Sequence, residues 1–202
     1  MGVELNQDQA LCLDRYASLM EKWNKGMNLV SRQDIGRLVP RHLLDSLGAV
    51  PFLHGKELLD IGTGPGLPGL PLAIAKPDMQ VTLWERMARR VRFLQQTCRE
   101  LGLTNVVVQE RDLHQTNSGP AAKTFDVIVA RAVAPIDELW PVMRESLNAR
   151  GRLIVYSRVA DQDLPAREPE QGLQPQEASY RVPGLDKIHY LHLMPPTQDQ
   201  GV

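Results

Sequence analysis

Apolar positions along the chain change their spacing several times, and each change marks an element. From Gln7 to Trp23, the residues Ala10, Leu13, Tyr16, Ala17, Met20 and Trp23 recur close to helical spacing, which predicts an amphipathic helix. The pattern breaks between Asn24 and Ser31 around Gly26. Helical character resumes over Ile35–Val50, with Leu38, Leu43, Leu44 and Leu47 apolar and Pro40 imposing a kink or a fresh start. A short apolar run, Leu58 to Ile61, then stops at a glycine cluster and gives way to the apolar segment Leu70–Ala75, which predicts strand, tight turn and helix. Further strand-like runs follow at Val81–Trp84, Val106–Val108, Phe125–Ala130 and Leu153–Tyr156. Helical patterns fall between them at Ala88–Leu101, stopped by Gly102, and at Ile136–Leu147, entered at Pro135 and separated from the next strand by Gly151. Ser179–Val182 and Ile188–Met194, joined through Pro183-Gly184, predict a closing hairpin, and Asp161–Glu177, rich in Pro, Gln and acid, a long surface excursion.

Such alternation of short strands and helices calls for an α/β fold: a doubly wound, mostly parallel seven-stranded sheet covered on both faces, with an antiparallel hairpin at its C-terminal edge. Residues 1–54 are expected to form a helical extension packed on a main domain of residues 55–202. Composition adds only bounds. The 202 residues, 43% hydrophobic and 23% charged, suffice for one sizeable domain. No apolar run is long enough to span a membrane and the acidic start has no signal-peptide core, so a cytoplasmic protein without membrane partners is expected. Cys12 and Cys98 show no metal-ligand spacing and imply no disulfide framework, and no metal site is expected. A net charge of −1 excludes nucleic-acid binding by bulk charge, but Arg86, Arg89, Arg90, Arg92 and Arg99 gather in one helical pattern and Arg37 and Arg41 in an earlier one. Taken alone, such a run is more often a solvated helix face.

The chemistry centres on Asp60-Ile61-Gly62-Thr63-Gly64-Pro65-Gly66-Leu67-Pro68-Gly69. Alternating glycines serve where backbone takes positive φ or meets a ligand closely. A dinucleotide fingerprint would need glycine at position 67, where Leu67 stands, and free N–H groups to grip a pyrophosphate, which Pro65 and Pro68 remove. S-adenosylmethionine, a nucleoside without phosphate, suits this turn, although a plain tight connection would look similar. In open α/β sheets ligands bind beyond the carboxyl ends of the strands. There Glu85 closes the second strand, where a carboxylate can accept from ribose hydroxyls; Arg111-Asp112-Leu113 follows the third; and Arg131 closes the fourth. His42 and Asp45, three apart in Arg41-His42-Leu43-Leu44-Asp45-Ser46, share one helix face, a spacing more often structural than catalytic.

Trp23-Asn24-Lys25 with Asn28-Leu29, the Arg41–Ser46 run, the glycine stretch, Arg90-Val91-Arg92-Phe93-Leu94 and Arg131-Ala132 together resemble the RsmG family, also called glucose-inhibited division protein B, over nearly the whole chain. The resemblance implies a Rossmann-like class I methyltransferase fold and methyl transfer from S-adenosylmethionine to N7 of a guanine in 16S ribosomal RNA of the small subunit. With the strand-end placements above, cofactor contacts are expected at Gly62, Gly64, Leu67, Glu85, Asp112, Leu113 and Arg131, RNA contacts at Arg41, Arg89, Arg90 and Arg158, and a monomer. Guanine N7 carries a lone pair and no proton, so no general base is expected; Arg131 and His42 would position the guanine or the methionine carboxylate, with N7 and O6 as an acceptor pair for arginine. The chain departs from the family pattern at Trp84-Glu85 where an aspartate is common, at Asp112-Leu113 where Val-Glu is common, and at Arg158 where lysine is common. A methyltransferase acting on a small molecule or protein and a non-catalytic nucleotide-binding module remain as alternatives.

Overall fold

The computed structural model describes residues 2–113, 124–160 and 175–196. The first helix, α1 (Gln7–Met27), begins at a reciprocal cap in which the Asn6 side chain accepts from the Gln9 amide and the Gln9 side chain from the Asn6 amide, each at 2.9 Å. It runs through Gly26 and stops at Asn28, whose left-handed backbone (φ 50°) ends the hydrogen-bond ladder. Its inward stripe is Leu13, Tyr16, Ala17 and Met20, and each fully buried large side chain contributes about 1.5–3 kcal/mol. The helical backbone expected over Ile35–Val50 is present but changes pitch along its length, in three short pieces joined through helical Leu38, Asp45 and Ser46. These are a 3₁₀ turn (Arg32–Arg37), a wide π-type turn (Val39–Leu44) and a second 3₁₀ turn (Leu47–Phe52). Pro40 and Pro51 interrupt the backbone ladder. Gly48 lies under the Tyr180 ring, where a Cβ would come within 2.4 Å of Cζ, so packing against a distant strand sets the path.

Strands β1 (Glu57–Ile61), β2 (Gln80–Glu85), β3 (Val106–Glu110), β4 (Phe125–Arg131), β5 (Leu147–Ser157), β6 (Gln176–Arg181) and β7 (Ile188–Met194) form one seven-stranded sheet in the order β3-β2-β1-β4-β5-β7-β6. The first five are parallel and β7 runs antiparallel between β5 and β6. The chain builds outward from β1 to β3 and then returns to place β4 on the other side of β1, so the loops leaving β1 and β4 part and open a crevice at their carboxyl ends. Helices α2 (Gly69–Ala75) and α3 (Ala88–Leu101), with α1, cover one face, and α4 (Ile136–Met143) covers the other. Side chains alternate accordingly: Leu58, Leu83, Val127 and Ile154 pack toward the first set, and Leu59, Trp84, Ile128 and Leu153 toward Leu139 and Trp140 of α4.

The helix expected to reach Leu147 ends at Met143, and β5 begins at Leu147 rather than Leu153. Leu147 already pairs with Phe125, after which β5 carries extra residues before Arg152 meets Val127. Gly151 sits inside this irregularity, its Cα facing the Phe125 carbonyl where a Cβ would approach to 2.8 Å; it bends a strand and does not precede one. Most of the expected Asp161–Glu177 excursion lies outside the described residues, while β6 begins at Gln176. Among the described residues no helix is long and apolar enough to cross a membrane.

At the opposite end of the sheet from the crevice, the Asp126 carboxylate ties β4 to β1. Its Oδ2 accepts from the Lys56 and Glu57 amides at 2.6 and 2.9 Å, and its other oxygen from Asn148. Burial opposes the charge, but the Glu57, Lys56 and Asn148 donors outweigh it and hold the carboxyl below its ordinary range. Asp126 therefore stabilises the fold above the unfolded pKa of about 4, and this contribution is lost as pH falls through the lower folded value. Thermal melts from pH 6 to pH 3 are expected to show a shallower acid decline for Asp126→Asn than for the parent chain, with a lower Tm at pH 6.

Candidate functional site

The glycine turn is anchored from below by Asp60, a wholly buried carboxylate at the end of β1. Its Oδ2 accepts from Thr63 Oγ1 at 2.5 Å and from the Gly69 amide at 2.7 Å, holding both ends of the turn and the start of α2. Burial pushes the Asp60 carboxyl up to about 7, against the opposing pull of those two donors and of Arg131. From above, Tyr16 of α1 donates to the Pro65 carbonyl at 2.7 Å. Gly62, Gly64 and Gly66 all have positive φ (61°, 59° and 103°), but for different reasons. A Cβ at Gly62 would strike Val133 and one at Gly66 would strike Leu70, so both glycines serve packing. At Gly64 a Cβ would meet nothing closer than 4.0 Å: the turn presents bare backbone to open space.

Glu85 reaches this point from β2. Only 3% exposed, it accepts from the Gly64 amide at 3.0 Å through Oε2 and from the Met87 amide at 2.8 Å through Oε1. Arg90 of α3 approaches Oε2 to 3.8 Å. Each carboxylate oxygen retains a further lone pair, so an open glycine backbone beside an acceptor of this kind fits a nucleoside with its ribose hydroxyls on Glu85. Arg111 lies over the Trp84 ring, 4.2 Å from its centroid; Asp112 faces Arg86 at 3.9 Å, and Leu113 packs against the α4 side of the core.

On the other side of the turn a cleft of roughly 670 Å³ opens over the ends of β1, β4 and β5, walled by residues 29–45 and by the β6–β7 hairpin. Gly62, Gly64, Leu67, Arg131, His42, Arg41 and Arg158 all line it. Arg131, 16% exposed at its side chain, directs Nη1 to Asp45 Oδ2 at 3.1 Å and to the His42 carbonyl and Ser46 Oγ at 3.4 Å. The next residue, Ala132, takes a left-handed backbone (φ 57°), turning the chain sharply out of β4 along the cleft wall. Burial, and then the charge of Arg131, push His42 down to about 4, so its ring is neutral at physiological pH, and its Nε2, 3.8 Å from Asp34, has no hydrogen-bond partner among the described residues. Asp34 instead holds Arg41 at 2.9 Å. His42 and Asp45, on adjoining turns, thus face different partners.

The arginines of α3 separate. Arg90 belongs to the glycine turn, whereas Arg89 donates to the Gly26 carbonyl at 3.2 Å and, with Lys22, Trp23, Met27 and Arg92, lines a second groove between α1 and α3. Sequence reasoning missed Tyr156, Tyr180 and His189 of the cleft, which come from β5 and the hairpin. Their local pattern is that of ordinary strand residues, and only the edge pairing of β7 with β5 brings them here. Among the described residues no group of His, Cys, Asp and Glu could hold a metal ion.

Residues 9–186 match the family rRNA small subunit methyltransferase G. The chain is 38% identical over 205 residues to Ribosomal RNA small subunit methyltransferase G of Methylococcus capsulatus, covering 98% of this chain and 94% of that protein. It is 34% identical over 198 residues to the protein of the same name from Escherichia fergusonii, with coverages of 98% and 94%. Among solved structures, it is similar to a variant of MtNAS in complex with S-adenosylmethionine (19% identity, TM-score 0.57, 93% of this chain and 73% of that one). It is also similar to precorrin-6y C5,15-methyltransferase from Geobacter metallireducens (13% identity, TM-score 0.53, 84% and 91%). These distant likenesses share its Rossmann-like α/β fold, and with a match spanning nearly all of the sequence the chain belongs to the rRNA small subunit methyltransferase G family.

Proposed function

We propose that this protein transfers the methyl group of S-adenosylmethionine to N7 of a guanine in 16S ribosomal RNA, acting as a cytoplasmic monomer on the small ribosomal subunit. The observation that carries this reading is the family match over residues 9–186, joined to a glycine turn whose open face at Gly64 adjoins the buried acceptor Glu85. Gly64 gives close backbone approach, Gly62, packed against Val133, sets the path of the turn beside it, Glu85 accepts from the ribose, and Leu67, Asp112 and Leu113 flank the nucleoside. Bound S-adenosylmethionine supplies an electrophilic methyl on a sulfonium. The N7 lone pair forms the new bond to carbon, the carbon–sulfur electron pair stays on sulfur, and the positive charge passes to the base. No proton leaves, so the residues need only align the reactants. An arginine donating to N7 would occupy the reacting lone pair; Arg131 therefore donates to guanine O6 or the methionine carboxylate and leaves N7 free. Neutral His42 lines the same wall. Arg41 and Arg158 at the rim, and Arg89 in the neighbouring groove with Lys22 and Arg92, meet RNA phosphates. Residues 1–54 act as a helical unit that completes the RNA-facing wall of the main domain.

Incubating small subunits that lack the modification with the protein and labelled S-adenosylmethionine is expected to place label on one 16S guanine as 7-methylguanosine; label on protein or on a small molecule would overturn the reading. Gly64→Ala is expected to weaken S-adenosylhomocysteine binding at least tenfold by calorimetry, about 1.4 kcal/mol, through loss of the open backbone face. Gly66→Ala is expected to act on stability, since its Cβ would lie 2.5 Å from Leu70, with Tm lowered by an overpacking cost of about 1–3 kcal/mol. Equal cofactor affinity in Gly64→Ala and the parent chain would make the turn structural only. Arg89→Ala and Arg158→Ala are each expected to flatten the salt dependence of subunit binding by about one unit of log–log slope with cofactor affinity intact, whereas Arg90→Ala also weakens the cofactor.

A further inference from the structure

Asp45 stands where three parts of the chain meet. It is 8% exposed, and its two oxygens are divided between elements. Oδ2 takes Arg131 Nη1 from the end of β4, while Oδ1 takes the Tyr180 hydroxyl and His189 Nδ1 from the hairpin, each at 2.7 Å. The same Arg131 nitrogen also meets the His42 carbonyl and Ser46 Oγ, so three acceptors from residues 42–46 converge on one corner of the guanidinium. Nη2 and Nε make no hydrogen bond among the described residues and are left for the cleft that Arg131 lines.

We infer, resting on the role of Arg131 proposed above, that Asp45 is a positioning residue for methyl transfer: it grips one corner of the Arg131 guanidinium and so sets the direction of the remaining donors. A planar fork held at one corner by a buried carboxylate keeps a single orientation, because rotation would break its contacts to Asp45, the His42 carbonyl and Ser46 together. Tyr180 and His189 in turn hold the carboxylate, which makes the hairpin part of the same support.

The test compares Asp45→Asn, Arg131→Gln and the double variant on unmodified small subunits, reading kcat, KM and S-adenosylhomocysteine affinity, with Asp126→Asn as a comparator that perturbs the far end of β4. Asp45→Asn is expected to lower kcat about 10- to 100-fold, to share with Arg131→Gln its division of loss between kcat and affinity, and to add no more than about threefold in the double variant. Losses that multiply in the double variant, or an Asp45→Asn chain that loses only Tm as Asp126→Asn does, overturn the inference while leaving the role of Arg131 intact. Parent-like turnover and cofactor affinity in Arg131→Gln overturn that role and the inference together. Should Asp45→Asn fail to fold, Tyr180→Phe removes one donor to the carboxylate and keeps the ion pair; a kcat lowered about threefold or more supports the inference, and an unchanged kcat overturns it.

Discussion

The hydrogen bonds accepted by buried Asp60 are the constraint on which the rest of the site hangs. One oxygen of a wholly buried carboxylate receives the Thr63 hydroxyl and the Gly69 amide, so the turn leaving β1 can neither straighten nor shift against α2. An acid in so apolar a place is costly unless donors meet it, and here the donors are the turn itself. With the turn pinned below by Asp60 and above by Tyr16, the backbone at Gly64 is free of any structural duty except its bond to Glu85. Rigidity around one open residue gives a ligand a preformed surface, which reduces the ordering entropy that binding must overcome.

Glu85 and Arg131 occupy equivalent places at the ends of β2 and β4, yet their surroundings assign them different chemistry. Glu85 is held by two backbone amides, with Arg90 at 3.8 Å, and faces the turn as an acceptor suited to hydroxyls. Arg131 is held by a carboxylate, a hydroxyl and a carbonyl from residues 42–46, and is directed into the cleft as a donor. In the proposed reading, the separation of acceptor and donor on opposite sides of the glycine turn lets a nucleoside and a second reactant meet over β1. It follows from the strand order, in which β2 and β4 flank β1.

The wall opposite the sheet comes from the two ends of the chain. The 3₁₀ and π-type turns of residues 32–52 have no long regular helix to stabilise them, and contacts with β5, β6 and β7 take that part. Tyr156 donates to the Ser46 carbonyl, Tyr180 meets Asp45, and Gly48 admits the Tyr180 ring. Irregular backbone of this kind needs its polar groups met by side chains, and the hairpin supplies them.

Elements whose spacing is uniform within themselves were legible from the sequence alone. α1, α3 and strands β1, β2 and β4 follow local apolar periods that burial on one or both faces enforces, and the glycine turn, Glu85 and Arg131 follow from where those strands end. Local pattern failed where a distant partner decides the backbone. The changing pitch of the second helical stretch answers to Tyr180 and Tyr156 as much as to Pro40, and the early start of β5 answers to the Phe125 pairing. The division of the α3 arginines between turn and groove depends on Glu85 and Gly26, which no helical period of α3 records. His42 and Asp45 stood out by spacing, but the partners that give Asp45 its place lie 86 and 135 positions away. Sequence spacing therefore determined which groups stand at the strand ends, and only tertiary packing decided which of them share a cleft, because a buried charge is oriented by whichever partners the fold brings to it.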